Sequence, residues 1–138
     1  QPPSLTDTTR YRRIVSSSAC SDISKSIEII VHKPILNNNI SLLAGGLTDT
    51  TICNGAIPNR LKGTVVTGGN GSVYAYQWLF SLDNTNWNTV TVAGTGVNYQ
   101  PPALSATTWY KRQVISGSCT VISTAIIKVT VLVFLDIP

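Results

Sequence analysis

Two stretches of this 138-residue chain are near-copies of one another, and that repetition constrains the fold more than any other feature. Gln1–Ile27 reads QPPSLTDTTRYRRIVSSSACSDISKSI, and Gln100–Ile126 reads QPPALSATTWYKRQVISGSCTVISTAI. At an offset of 99, fourteen of 27 positions are identical. Further on an offset of 100 fits better and lays IEIIV (Ile27–Val31) over IKVTV (Ile127–Val131), with Glu28 over Lys128. The second copy therefore carries one extra residue before Ile127. This predicts a β-bulge, because a one-residue slip would otherwise turn the core face of the strand outward.

A period near 100 residues suits an immunoglobulin-sized module rather than a solenoid. The expected organisation is the C-terminal hairpin of a preceding repeat at residues 1–33, a complete repeat at 34–133, and a linker or the start of a next module at 134–138. A chain of about 40 residues or fewer seldom buries enough surface to fold alone. The first hairpin is therefore expected to pair with its own upstream strands or with another chain, and a chain that opens at Gln1 inside a module is expected to be a fragment or processed product. Composition agrees with an all-β fold. Val (13), Ile (14) and Thr (17) make up about a third of the residues, while there is one Glu and no Met. β-branched side chains suit a pleated surface, and the stock of helix formers is thin.

Strands are expected at Thr50–Cys53, Arg60–Val66, Val73–Leu82, Trp87–Val92, Val97–Gln100, Thr108–Ser116 and Thr120–Val133. The longest alternates, with Tyr74, Tyr76, Trp78 and Phe80 on one side. Lys33-Pro34 and Asn37-Asn38-Asn39 read as a linker, and Thr67–Gly71 and Asp83–Asn86 as turns. Seven short strands with these turn signals predict an Ig-like antiparallel β-sandwich. Trp78 and Tyr110 are expected in its core. Tyr110 stands where sandwich folds often use a phenol hydroxyl to tie a corner to backbone.

Each full module would carry one early and one late cysteine. The expectation is a Cys53–Cys119 disulfide with Cys20 unpaired within the chain, the alternative being three free thiols. The cysteine spacings contain no C-x-x-C and His32 is the lone imidazole, so no metal site or cofactor is expected. No Ser-His-Asp or Cys-His arrangement is available, and no catalytic residue is assigned. The net charge of +4 is scattered apart from Arg10–Arg13, which argues against a nucleic-acid partner. No apolar run reaches the roughly 18 residues that would cross a bilayer, so direct membrane insertion is not expected. Ser (14), Thr (17) and Asn (10) give a polar, weakly charged surface, more typical of exported β proteins.

The string YQWLFSLDNTNWNTV, followed by YQPPALSATTWYKRQVISGSCTVISTAIIKVTV, resembles the Ig-like repeats of giant cell-surface adhesins of Bacteroidota. These include the SprB-type gliding-motility adhesins exported by type IX secretion. The shared features fall on Tyr76-Gln77-Trp78, Ser81–Asp83, Trp87, Tyr99–Pro101, Leu104–Arg112 and Gly117–Cys119, within residues 50–131 and in the partial copy at 1–31. The resemblance implies a non-catalytic structural or adhesive module in a long extracellular filament. Neighbouring repeats or identical subunits would be its partners, through edge strands. The apolar Val131–Ile137 tail and the first hairpin could add strands to a neighbour. A carbohydrate-binding module is the alternative, with surface glycans stacked on Trp87 and Trp109. Asp83 and Asn86 form at most a sparse calcium site, since one carboxylate is few for that ion. Asp7-Thr8-Thr9 and Asp49-Thr50-Thr51 match a short O-glycan acceptor pattern.

Overall fold

The computed structural model describes residues 1–135; the last three residues of the segment expected at 134–138 to be a linker or new module lie outside the described residues. The chain divides into two compact units, one running from Gln1 to Lys33 and the other from Pro34 onward. It is all-β, with no helix among the described residues.

The first unit holds β1 (Thr9–Tyr11), β2 (Ile14–Ser17), β3 (Cys20–Ile23) and β4 (Ile27–Ile29). β2 and β3 pair antiparallel from Ile14↔Ile23 to Ser17↔Cys20, and β1 and β4 pair from Thr9↔Ile29 to Tyr11↔Ile27. Between the two ladders sits a serine clasp. Ser24 donates its backbone N–H to the Arg13 carbonyl (2.9 Å), and its hydroxyl accepts from the Arg13 N–H (2.8 Å).

In the second unit the strands are β5 (Lys33–Leu36), β6 (Ile40–Leu42), β7 (Asp49–Cys53), β8 (Leu61–Gly63), β9 (Thr67–Gly69), β10 (Ala75–Ser81), β11 (Asn88–Thr89), β12 (Thr108–Ser116), β13 (Cys119–Ile122) and β14 (Ile127–Leu132). One sheet has the order β11-β10-β12-β14-β7, with β13 beside the far half of β12. The β5–β9 and β6–β8 ladders, with Tyr99 bridged to Leu61, form the other layer of the sandwich. Pairing is antiparallel within β10, β11, β12, β13 and β14, but β7 runs parallel to β14.

The β12–β13 and β12–β14 ladders repeat the first unit's pairing. Gln113↔Ile122 through Ser116↔Cys119 lie 99 residues beyond the β2–β3 pairs. Thr108↔Val129 through Tyr110↔Ile127 match the β1–β4 pairs at 99 on one strand and 100 on the other. The clasp recurs, with Ser123 N–H on the Arg112 carbonyl (2.9 Å) and the Arg112 N–H on the Ser123 hydroxyl (3.2 Å). The extra residue falls between Ser123 and Ile127, and the inward phase of β14 is kept. At the hairpin tip Gly117 has φ 60° and its counterpart Ser18 has φ 51°. A left-handed conformation suits glycine and costs a serine about 1–2 kcal/mol.

Period-2 alternation governs the core. Along β12, Thr108, Tyr110, Arg112, Val114 and Ser116 point inward and are buried. Tyr110, Ile127 and Val129 pack with Ile40, Leu42, Leu61, Trp78, Val90 and Tyr99, while Val114 packs with Ile35 and Val66. Trp78 is 0% exposed, and its indole N–H donates to the Gly96 carbonyl at 3.0 Å.

Arg112 is also 0% exposed. Among the described residues no carboxylate meets it. Its guanidinium donates to Asn38 Oδ1 (2.9 Å), the Val97 carbonyl (3.0 Å) and the Thr64 carbonyl (2.8 Å), and lies 5.0 Å from the centroid of the Tyr76 ring. Asn38 returns a bond from its amide to the Arg112 carbonyl at 2.9 Å. A buried charge is tolerable only when its donors are satisfied, and here three neutral acceptors serve that purpose. Gly63 leaves the room: a Cβ there would come within 1.8 Å of Arg112 Nη1 and 2.4 Å of the Val97 carbonyl.

Two expectations are corrected. Lys33–Asn39 is not a linker. Lys33–Leu36 is a strand, Ile35 is in the core and Asn38 is buried against Arg112. Likewise Thr67–Gly69 is a strand rather than a turn, because Gly68 has no side chain to collide with the Pro34 carbonyl, which lies 1.9 Å from where a Cβ would stand.

Removing the Asn38 amide should leave a charged donor unpaired in the core. Asn38→Ala is expected to cost about 3 kcal/mol and to lower the melting temperature by roughly 10–20 °C. Asn39→Ala, on an exposed neighbour, should change stability by no more than about 0.5 kcal/mol. Thermal and urea denaturation of the two variants checks this, and equal effects would remove Asn38 from its assigned role.

Candidate functional site

Residues of β12 that alternate away from the core build an outer face. Trp109 and Lys111 are successive outward positions, and Lys128 on β14 stands directly opposite Trp109. The Lys128 ammonium lies 5.6 Å from the Trp109 ring centroid, and the Lys111 ammonium lies 4.3 Å from that of Trp87, the residue just ahead of β11. The two tryptophans expected as ligand contacts are thus brought to one sheet face, each half-buried under a lysine. Cation–π contacts of this kind contribute about 0.5–1 kcal/mol at exposed sites. In the first unit the corresponding pair is Arg10 and Glu28, an exposed ion pair at 2.5 Å. The slot accepts either electrostatic solution because its side chains face water.

At the edge of the same sheet Asp83 organises the β10–β11 turn. Its Oδ1 accepts from the backbone N–H of Asn86 (2.7 Å) and Thr85 (2.8 Å) and from the Ser81 hydroxyl (2.9 Å), while Oδ2 accepts from the Asn86 amide (2.6 Å). The Asn86 backbone bond, followed by the Asn86 side chain, Thr85 and Ser81, holds the carboxyl well below the usual carboxylate range. Both oxygens serve the turn. Among the described residues no three His, Cys, Asp or Glu side chains gather as metal ligands would.

Beyond the turn lies a feature that sequence reasoning missed, an open cleft of about 740 Å³. Its lining includes Leu82, Val92, Tyr99, Pro101, Leu104 and Tyr110. The Tyr99 and Tyr110 rings are 5.9 Å apart, and burial raises the pKa of both phenols. The only signal in the sequence was Pro101-Pro102, which stiffens one wall. Tyr110 is in the core as expected, but its hydroxyl makes no hydrogen bond among the described residues, so it ties no corner. Thr107 and Thr108 do that instead: the Thr107 hydroxyl accepts from the Val131 N–H (3.1 Å), and the Thr108 hydroxyl donates to the Ala106 carbonyl (2.9 Å).

Cys20, Cys53 and Cys119 are all free, which corrects the expected Cys53–Cys119 bridge. Cys53 pairs with Leu132 at the far end of β14, whereas Cys119 opens β13 beside the hairpin tip. Leu132 lies thirteen positions of near-extended chain beyond Cys119, on the order of 30–40 Å. A disulfide needs Cα atoms about 4.4–6.8 Å apart. Cys53 lies on an edge strand parallel to the last one, so its early position in the module does not bring it to Cys119.

Residues 45–133 match the family model described as a domain of unknown function (DUF8696), and the chain belongs to that family. The match spans β7 to β14 and leaves β5, β6 and Asn38 outside it. No curated protein matches the chain.

The Asp83 turn has a pH signature. A carboxyl whose folded pKa is depressed contributes stability that is complete above its ordinary value of 3.8 and fades as pH falls toward the folded value. The melting temperature should therefore drop as pH is lowered below about 4, and Asp83→Asn should flatten that drop. Thermal melts of both chains across acid pH check it, and parallel curves would count against the turn's role.

Proposed function

We propose that this member of the DUF8696 family is a non-catalytic structural and adhesive repeat, one of a series of Ig-like modules in a long exported surface filament of the kind used for attachment or gliding. The observation that carries this reading is the duplicated terminal hairpin. Both copies share residue-by-residue pairing and the same serine clasp at a spacing of 99–100 residues. A module that recurs with its register intact is what a serial array requires. Three residues, Ile30–His32, join the end of β4 to the start of β5. Neighbouring repeats are the proposed partners, and the cell surface the proposed location.

Antibodies against the chain should label intact source cells, and brief external protease should remove the label. Labelling seen only after permeabilisation would overturn the surface assignment.

The paired tryptophans favour a second reading, a module that binds acidic glycans. Sugar rings would stack on Trp87 and Trp109 while Lys111 and Lys128 meet carboxylate or sulfate groups. Binding to polygalacturonate should weaken about tenfold in Trp109→Ala and fade with added salt. Equal binding by the variant would remove this reading.

A further inference from the structure

The first unit presents a core face to solvent. Val15 and Ile27 are 52% and 69% exposed, whereas their counterparts Val114 and Ile127 are both 0% exposed. Tyr11 and Ile29 stand where Tyr110 and Val129 are buried. Arg13 stands where Arg112 is buried, and its exposed guanidinium has no hydrogen-bond partner among the described residues. The opposite face carries Arg10 and Glu28 and matches the outward face of the second unit.

What covers each counterpart is known from the second unit. Ile35 and Val66 pack on Val114, while Ile40, Leu42 and Leu61 pack with Tyr110, Ile127 and Val129. Asn38 and the carbonyls of Thr64 and Val97 take the Arg112 guanidinium. All of these groups lie between Pro34 and Tyr99. Tyr99 runs straight into Gln100-Pro101-Pro102, and Gln1-Pro2-Pro3 repeats that junction. A second copy of this chain offers no free surface of this kind, because its own Ile35, Ile40, Leu42, Leu61 and Val66 are buried.

We propose that the inner face of the Gln1–Val31 hairpin is a docking surface for a half-sandwich built like Pro34–Tyr99 and joined directly ahead of Gln1, with Arg13 as the recognition residue. The occupant supplies one Asn side-chain oxygen and two backbone carbonyls to the guanidinium, and an apolar surface to Tyr11, Val15, Ile27 and Ile29. Apolar contact gives the surface its strength. The planar fork of the arginine fixes the register, since it accepts only acceptors in matching positions. This inference rests on the serial-module reading, but it concerns pairing alone and survives if the surface location fails.

The test compares the 138-residue chain with an extended chain carrying a second copy of Pro34–Tyr99 ahead of Gln1. Hydrogen–deuterium exchange of residues 9–29 is followed by mass spectrometry, with residues 108–129 as the internal standard. Those amides should exchange quickly in the shorter chain and at least on the order of 100-fold more slowly in the extended one. Arg13→Leu in the extended chain should return most of the exchange, whereas Arg10→Leu, on the outer face, should not. Unchanged exchange on extension, or protection that survives Arg13→Leu, overturns the proposal. Slow exchange of the first hairpin in the shorter chain overturns it too; if that protection appears only at high protein concentration, the occupant is a second copy. Surface labelling of cells plays no part in these outcomes, so the two readings fail separately.

Discussion

A single buried arginine holds the two layers of this sandwich in place. Apolar packing is non-directional and would tolerate small slides of one sheet over the other. The Arg112 guanidinium tolerates none, because each of its donors must find an acceptor away from water. Its three acceptors come from separate stretches of chain, Asn38 between β5 and β6, Thr64 just after β8, and Val97 before the Tyr99 bridge. Satisfying all three fixes β12 against the facing layer. Gly63 is bound to the same arrangement, since any side chain there would occupy the position of Arg112 Nη1.

The two copies of the hairpin separate what is local from what is not. Cross-strand pairing, the tip conformation and the serine clasp are the same in both, so they follow from residues close along the chain. Burial differs completely. Arg, Val and Ile at matching positions are core residues in the second unit and exposed in the first, and Tyr11 is only half-buried where Tyr110 is in the core. The hairpin thus acquires its shape from its own hydrogen bonds and its stability from a surface laid against it. An isolated strand pair is marginal in water for that reason.

The outer face shows how little that side is constrained. An ion pair at Arg10–Glu28 and a cation–π contact at Trp109–Lys128 fill the same cross-strand slot. Exposed pairs of either kind contribute modestly to stability, which leaves the slot free to carry binding. Of the tryptophans expected as ligand contacts, the outward place of Trp109 was legible from alternation with Tyr110. Their lysine partners were not, because Lys111 and Trp87 meet only after β11 folds back along β10. The Tyr99–Tyr110 cleft had no sequence signal beyond two prolines.

The amino-acid sequence by itself determined the all-β class, the correspondence of the two hairpins with one extra residue in the second, and the core places of Trp78 and Tyr110. These follow from period-2 alternation and from pairing between near neighbours, both of which are readable along a chain. Tertiary structure alone decided that the polar Asn37–Asn39 run enters the core, that β7 pairs parallel to β14, and that Cys53 and Cys119 end up far apart. Asn38 looks like a linker residue until Arg112, 74 positions away, receives its amide oxygen. A polar side chain carries no mark of whether water or a buried partner will satisfy it, and that choice is made only when distant segments meet.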